Sequence, residues 1–270
     1  DPALRPIAAK VASGGRITTA EGASLFLSAD LLGVGALADA AKRARCCTRF
    51  YFAANQHINP TNVCILRKTC VFCSYARLPK EDGAYRYTME QVYAEAAANP
   101  YVREFHIVGG LDMHAGLAYY EEMFRGLKER YPHVHIKALT AVEIAHIARI
   151  EKMSVEDVLV ALRAAGLDTL PGGGAEVFSK GVRATIADRK LAAEDWINVH
   201  RVAHGLGIRS NATMLYGHVE TIDDRMEHLR MLRDLQDETG GFLTYIPLAY
   251  HPDHNELGAT LGREGTATSG

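Results

Sequence analysis

The chain has 270 residues, 48% hydrophobic and 23% charged, with a formal net charge of -2. That length suits a single β/α barrel and that balance suits a globular chain able to bury a core. The near-zero charge gives no overall pull towards nucleic acid or an anionic membrane, although a local basic pocket stays open. No apolar run approaches the roughly 20 residues that cross a bilayer, and the N-terminus lacks a signal-peptide core. Neither nucleic acid nor a membrane is an expected partner. Five cysteines, an odd number with three of them clustered, argue against a disulfide framework, so a reducing, cytoplasmic location is expected.

In chain order, residues 1–45 carry a helical pattern broken at Gly14-Gly15 and at Gly33-Gly35. This predicts a short helical prelude, with a first unit over 1–50 and one core over 51–270. Segments 57–64, 105–110, 134–142, 167–171, 209–216 and 242–250 have strand character, several ending in Gly, Pro or Asn. Between them, 88–99, 115–131, 154–165, 191–206 and 222–237 have helical patterns. Thr88 followed by Gln91, and Ser154 by Asp157, mark helix starts, and Gly166 marks a stop. Strands alternating with helices predict parallel βαβ units. The expected fold is therefore α/β, a TIM-like (β/α) barrel of six strands that is incomplete in this chain.

In such barrels the chemistry collects at the C-terminal ends of the strands. After the first strand, Cys64, Cys70 and Cys73 fall within ten residues. Three thiolates on one short loop, with no fourth nearby, suit a cubic iron–sulfur cluster that keeps one iron open to another ligand. A structural zinc site with His57 as the fourth ligand is the plainer alternative. Gly109-Gly110 follows the second strand, 140–143 the third, 171–176 the fourth with its triple glycine and Glu176, 216–220 the fifth, and Tyr250-His251-Pro252 the sixth. Cys46 and Cys47 read as ordinary thiols, and His200 and His228 as packed or solvated.

With these residues in place, the chain resembles the radical S-adenosylmethionine (SAM) superfamily and, within it, the aminofutalosine synthase family. The resemblance is carried by 57–64, 70–80, 106–111, 137–144, 170–178, 212–220 and 240–252, in that order. It implies a radical SAM barrel whose Cys64, Cys70 and Cys73 hold a [4Fe-4S] cluster, with S-adenosyl-L-methionine on the open iron as co-substrate. The superfamily's usual spacing is Cys-x3-Cys-x2-Cys, whereas five residues separate Cys64 from Cys70 here. By position, the resemblance puts Phe72 against the adenine and has Gly109 and Gly110 meet the methionyl amino group through backbone carbonyls. Glu176 would hydrogen-bond the ribose or the methionyl group, and Met214 and Tyr216 would pack on the adenine. The acceptor, a dicarboxylate, needs cationic or hydrogen-bonding partners, for which Arg77, Arg209, Asn211 and His251 are the candidates.

The reaction this resemblance implies is addition of the 5′-deoxyadenosyl radical to 3-[(1-carboxyvinyl)oxy]benzoate. Rearrangement and loss of carbon dioxide would then give 6-amino-6-deoxyfutalosine, on the futalosine route to menaquinone. The expected partners are that aromatic enolpyruvyl ether and an electron donor of flavodoxin or ferredoxin type. Sister enzymes, of the dehypoxanthine futalosine cyclase and deazaflavin-chromophore synthase types, share Asn-x-Thr-Asn-x-Cys, here 59–64. Leu78-Pro79-Lys80 and the 170–178 and 240–252 segments favour the synthase. A non-enzymatic zinc-stabilised barrel is the third reading.

Overall fold

The computed structural model describes residues 1–263. Six parallel strands form one sheet in sequential order: β1 (Asn55–Ile58), β2 (Glu104–Ile107), β3 (His135–Ala138), β4 (Thr169–Leu170), β5 (Arg209–Tyr216) and β6 (Phe242–Ala249). The crossovers carry α4 (Met89–Ala96), α5 (Leu117–Arg130), α6 (Ala141–Glu151), α7 (Val155–Ala165), α8 (Lys180–Ile186), α9 (Ala193–Gly205) and α10 (Ile222–Thr239), and α11 (Glu256–Thr260) follows β6. Parallel neighbours require such crossovers, and the helices cover one face of a sheet that curls into an open barrel.

Side-chain alternation sorts each strand between the helical layer and the lumen. Ile58, Phe105, Ile107, Ile136, Ala138 and Leu170 are at most 1% exposed under the helices, with Phe105 edge-on to Tyr131 at 5.4 Å between ring centroids. The intervening His57, Glu104, His106, His135, Lys137 and Thr169 turn to the lumen. Helix starts follow their caps. Thr88 and Gln91, Thr140 and Glu143, and Thr221 and Asp224 each form a full capping box, whereas Ser154 accepts from the Asp157 amide but donates its hydroxyl to the Asp157 carboxylate.

Several expected boundaries shift. The first strand stops at Ile58, because Thr61 and Val63 pair with Arg86 and Arg77 as isolated bridges that fold the cysteine loop. The segment 134–142 is a four-residue strand followed by the unanticipated α6, which Thr140 caps. Helices α8 and α11 were not anticipated either; at seven and five residues they are too short to show a clear period.

The prelude consists of α1 (Leu4–Ala12), α2 (Thr19–Leu27) and α3 (Leu31–Cys46). Gly14-Gly15 separates α1 from α2, but Gly33 and Gly35 lie inside α3, where Asp30 caps the Gly33 amide at 2.8 Å. The prelude docks on α10: Gly22 lies against Met226, Arg16 pairs with Asp237, and Arg233 donates to the Ile17 carbonyl at 3.0 Å. Among the described residues, no helix is long and apolar enough to cross a membrane.

The β4 end fits β5 without room for a side chain, since a Cβ on Gly172 would stand 2.7 Å from Ala212 backbone atoms. Gly172→Ala should therefore lower stability by about 1–3 kcal/mol, read as a reduced urea midpoint at unchanged slope. Gly35→Ala, with open space around it in α3, should instead raise stability by about 0.5–1 kcal/mol. Equal responses from the two variants would contradict this packing.

Candidate active site

The loop after β1 is folded by its own backbone and by its neighbours. Asn59 donates its side-chain amide to the Val108 carbonyl at 2.8 Å. The Cys64 amide donates to the Arg77 carbonyl at 2.9 Å, and the Arg77 amide donates to that of Asn62 at 2.8 Å. Farther on, the Cys70 amide donates to Leu66 at 2.9 Å and the Cys73 amide to Cys70 at 3.1 Å. Cys70 also forms a β-bridge with Ala187, and the Val71 amide donates to Ile186 at 3.0 Å. The β2 loop presses on the same segment. The Gly110 amide donates to the Thr61 carbonyl at 2.9 Å, and a Cβ on Gly110 would stand 2.2 Å from the Val63 carbonyl oxygen. Only glycine allows that approach.

This folding brings Cys64, Cys70 and Cys73 within electrostatic reach of one another. Burial pushes the Cys70 thiol up to about 11; Lys190 opposes that shift, while Glu176, Cys64 and Cys73 add to it. Cys64 and Cys73 are half-buried, and Cys46 and Cys47 are exposed on the prelude side. Among the described residues, no three His, Cys, Asp or Glu side chains converge to hold one metal ion. A mononuclear zinc site draws every donor to about 2.0–2.3 Å of a single ion, whereas a cubic cluster takes each thiolate on its own iron. Three thiols on one loop match the donor set of such a cluster, one per iron with the fourth iron open. His57, the fourth ligand of the zinc reading, stacks on His106 with ring centroids 4.5 Å apart.

Behind the cysteines lies a buried ion pair. Glu176 adopts a left-handed backbone with φ 47°, and its carboxylate accepts from Lys190 Nζ at 2.5 Å. Burial alone would raise this carboxyl, but Lys190, with Arg183 and His218, holds it below its ordinary value. Burial likewise works against charge on Lys190, and Glu176 and Cys70 together hold its ammonium above the usual value. Lys190 Nζ also stands 5.3 Å from the Phe72 ring centroid. Phe72, Glu176, Lys190 and Cys70 thus share one corner of the rim. Arg183 braces it by donating to the Ala175 carbonyl at 2.7 Å.

Glu143 clamps the other side. Its carboxylate accepts from the Gly109 amide at 2.9 Å and from the Thr140 amide and hydroxyl at 2.7 Å each. Burial pushes its carboxyl up to about 7 against those hydrogen bonds and the pull of Lys190.

The remaining sequence candidates are scattered. Met214 and Tyr216 sit on the helix-facing side of β5, lining a cavity of about 750 Å³ with Leu25, Phe26, Leu31 and Val34 of the prelude; the resemblance had set them against the adenine. Alternation turns Asn211, Thr213 and Leu215 to the lumen instead. Asn211 is buried there, while Arg209 lies at the exposed N-terminal end of β5. Arg77 spends its guanidinium on the carbonyls of Ser74, Tyr75 and Ala76, so it staples the cysteine loop. His251 is exposed just past β6, 3.7 Å from Asp253. Sequence reasoning missed Lys190, because Asp188-Arg189-Lys190 reads as a solvated charge run.

A profile of the radical SAM superfamily matches residues 58–232. The chain belongs to that superfamily. It is 42% identical, over 98% of its length and 71% of the relative's, to an aminodeoxyfutalosine synthase of Thermus thermophilus. It is 40% identical, over 94% of its length and 65% of the relative's, to a cyclic dehypoxanthine futalosine synthase of Streptomyces coelicolor. A 5-amino-6-(D-ribitylamino)uracil–L-tyrosine 4-hydroxyphenyl transferase of Methanospirillum hungatei is 37% identical over 99% of this chain and 72% of its own. The chain thus spans about two thirds of the length of these relatives. The structure superposes on methylornithine synthase (PylB) with a TM-score of 0.75 at 17% identity, covering 97% of this chain and 72% of that one. For the [FeFe]-hydrogenase maturase HydG the TM-score is 0.71 at 16% identity, with 93% and 55% covered. These likenesses establish the partial barrel fold. Membership makes the chain a radical SAM enzyme, and the superfamily implies a [4Fe-4S] cluster and SAM.

The Glu143 clamp has a pH signature. Its carboxyl binds a proton more tightly in the native state, about 7 against the ordinary 4.5. Its contribution to stability is therefore full below about pH 4.5 and is lost as pH rises through about 7. Glu143→Gln removes this titration. The melting temperature of the wild type relative to the variant should fall between pH 5 and 8, and a difference that stays constant would contradict the assignment.

Proposed function

We propose that the chain is an aminofutalosine synthase, adding the 5′-deoxyadenosyl group to 3-[(1-carboxyvinyl)oxy]benzoate with rearrangement and decarboxylation to 6-amino-6-deoxyfutalosine. The observation that carries this reading is the 42% identity to the Thermus thermophilus synthase along nearly the whole chain, with the three-cysteine rim in place. Cys64, Cys70 and Cys73 would hold the cluster, which when bound supplies the electron that cleaves SAM to its adenosyl radical. A flavodoxin or ferredoxin type donor would provide that electron.

The chain's own residues then orient and shield. Phe72 and the Glu176–Lys190 pair offer one aromatic face and one fixed set of charges beside the cysteine loop, suited to the adenosyl and methionyl ends of SAM. Gly109 and Gly110 leave the backbone of the β2 loop bare at the same rim, and Glu143 fixes its orientation. The lumen-facing residues of β5 line the space where an acceptor would come within about 3–3.5 Å of C5′ for addition.

A second reading is a sister enzyme, supported by the 40% identity to the cyclic dehypoxanthine futalosine synthase. Mass spectrometry of an anaerobic reaction with dithionite, SAM and the enolpyruvyl benzoate separates the two. A new adenosylated, decarboxylated product is the expected result. Stoichiometric 5′-deoxyadenosine with no adenosylated product would transfer the chain to its hydrogen-abstracting sisters.

A further inference from the structure

The strand register sets one polar residue on each of four successive strands at a single level: His57 faces His106, His106 faces Lys137, and Lys137 faces Thr169. Each stands one residue before the C-terminal end of its strand, directly beneath the rim that carries the cysteine loop. Barrel interiors are ordinarily filled at such levels by bulky branched aliphatic residues. Here the level is polar and rich in nitrogen donors.

The His57 and His106 rings stack at 4.5 Å and 13°, and among the described residues neither ring makes a hydrogen bond. Lys137 meets the Glu104 carboxylate at 2.9 Å, with both side chains largely buried. Among the described residues, Lys137 alone of these three side chains is paired with a carboxylate. Burial first, then His57 and Lys137, push the His106 imidazole down to about 4. The His106 ring is thus held neutral and keeps one N–H donor, and its edge and that of His57 are open to the lumen beside the Lys137 ammonium, so a bound anion would find hydrogen-bond donors there.

We propose that His57, His106 and Lys137 form a carboxylate-binding site in the lumen that holds one carboxylate of the acceptor beneath the rim. The inference rests on the proposed reaction for the identity of the acceptor, and on the polar level itself for the anion. It assigns this task to the lumen, whereas His251 is exposed past β6 and the Arg77 guanidinium is bound to backbone carbonyls. The ring edges of His57 and His106 and the ammonium of Lys137 supply the donors, and Glu104 fixes the lysine.

The test is calorimetric titration of the cluster-loaded protein with 3-(1-carboxyethoxy)benzoate, the saturated ether that lacks the reactive double bond, and with its dimethyl ester. The diacid should bind to wild type, and the diester should not. His106→Phe, which keeps a ring in the stack, and Lys137→Met should each weaken the diacid by about tenfold or more, the loss expected for one charge-assisted hydrogen bond. SAM affinity and iron content should be unchanged. Lys137→Arg, which keeps the charge beside Glu104, should retain most of the affinity and so separates loss of the site from loss of folding. Unaltered diacid affinity in both His106→Phe and Lys137→Met, or a wild type that binds the diester as well as the diacid, would overturn the proposal. A wild type that binds the diacid and loses it in these variants, yet makes no adenosylated product, would sustain the lumen site and overturn the proposed reaction.

Discussion

The rim is organised around the contact between the β2 loop and the cysteine loop, where Gly109 and Gly110 lie against the Thr61 and Val63 carbonyls with no space for a Cβ. That contact ties the segment before Cys64 to the sheet. From there Glu143 joins the Gly109 amide to Thr140 at the start of α6, so the loops after β1, β2 and β3 are linked in series. On its other side the cysteine loop is pinned by the bridge from Cys70 to Ala187 at the end of α8. The positions of the three sulfurs are thus set largely by backbone hydrogen bonds. This accommodates the long spacing between Cys64 and Cys70: the added residues form the Leu66 turn, which receives the Thr69 and Cys70 amides.

Electrostatics act on this frame in two layers. At the rim, Lys190 is a buried cation beside Cys70, and it would favour the thiolate that iron requires. Such a cation is costly to bury alone, and the Glu176 carboxylate offsets that cost; loss of either partner would leave an uncompensated charge. Beneath the rim, the ring edges of His57 and His106 lie open beside the Lys137–Glu104 pair. A negative thiolate group above would find the Lys190 ammonium, and an anionic acceptor below would find hydrogen-bond donors, already in place. Preorganised polar groups of this kind would hold a radical and its acceptor in register without a large rearrangement.

Much of the fold was legible in the sequence because it is periodic. The β5 boundaries 209–216 emerged intact, since an eight-residue strand flanked by Gly207 and Gly217 is well punctuated. The short strands were overextended, because Thr61, Val63 and Val142 have β-type chemistry but serve a loop and a helix start. At the site, motifs assign residues to segments of the chain, while side-chain direction is not available from them. Met214 and Tyr216 belong to a recognisable segment, yet pleating turns them to the prelude and leaves Leu215 facing the lumen. Lys190 and the lumen row escaped notice for a different reason: their meaning lies in register between strands and in tertiary burial, which no local pattern encodes.

The central claim is that this loop holds a cubic cluster with one iron open to SAM, and electron paramagnetic resonance of the anaerobically reconstituted, dithionite-reduced protein tests it most directly. The account predicts the signal of a reduced [4Fe-4S] cluster that changes shape when SAM is added, and its loss in Cys70→Ala. A colourless protein containing one zinc per chain, or a cluster signal that SAM leaves unchanged, would contradict it.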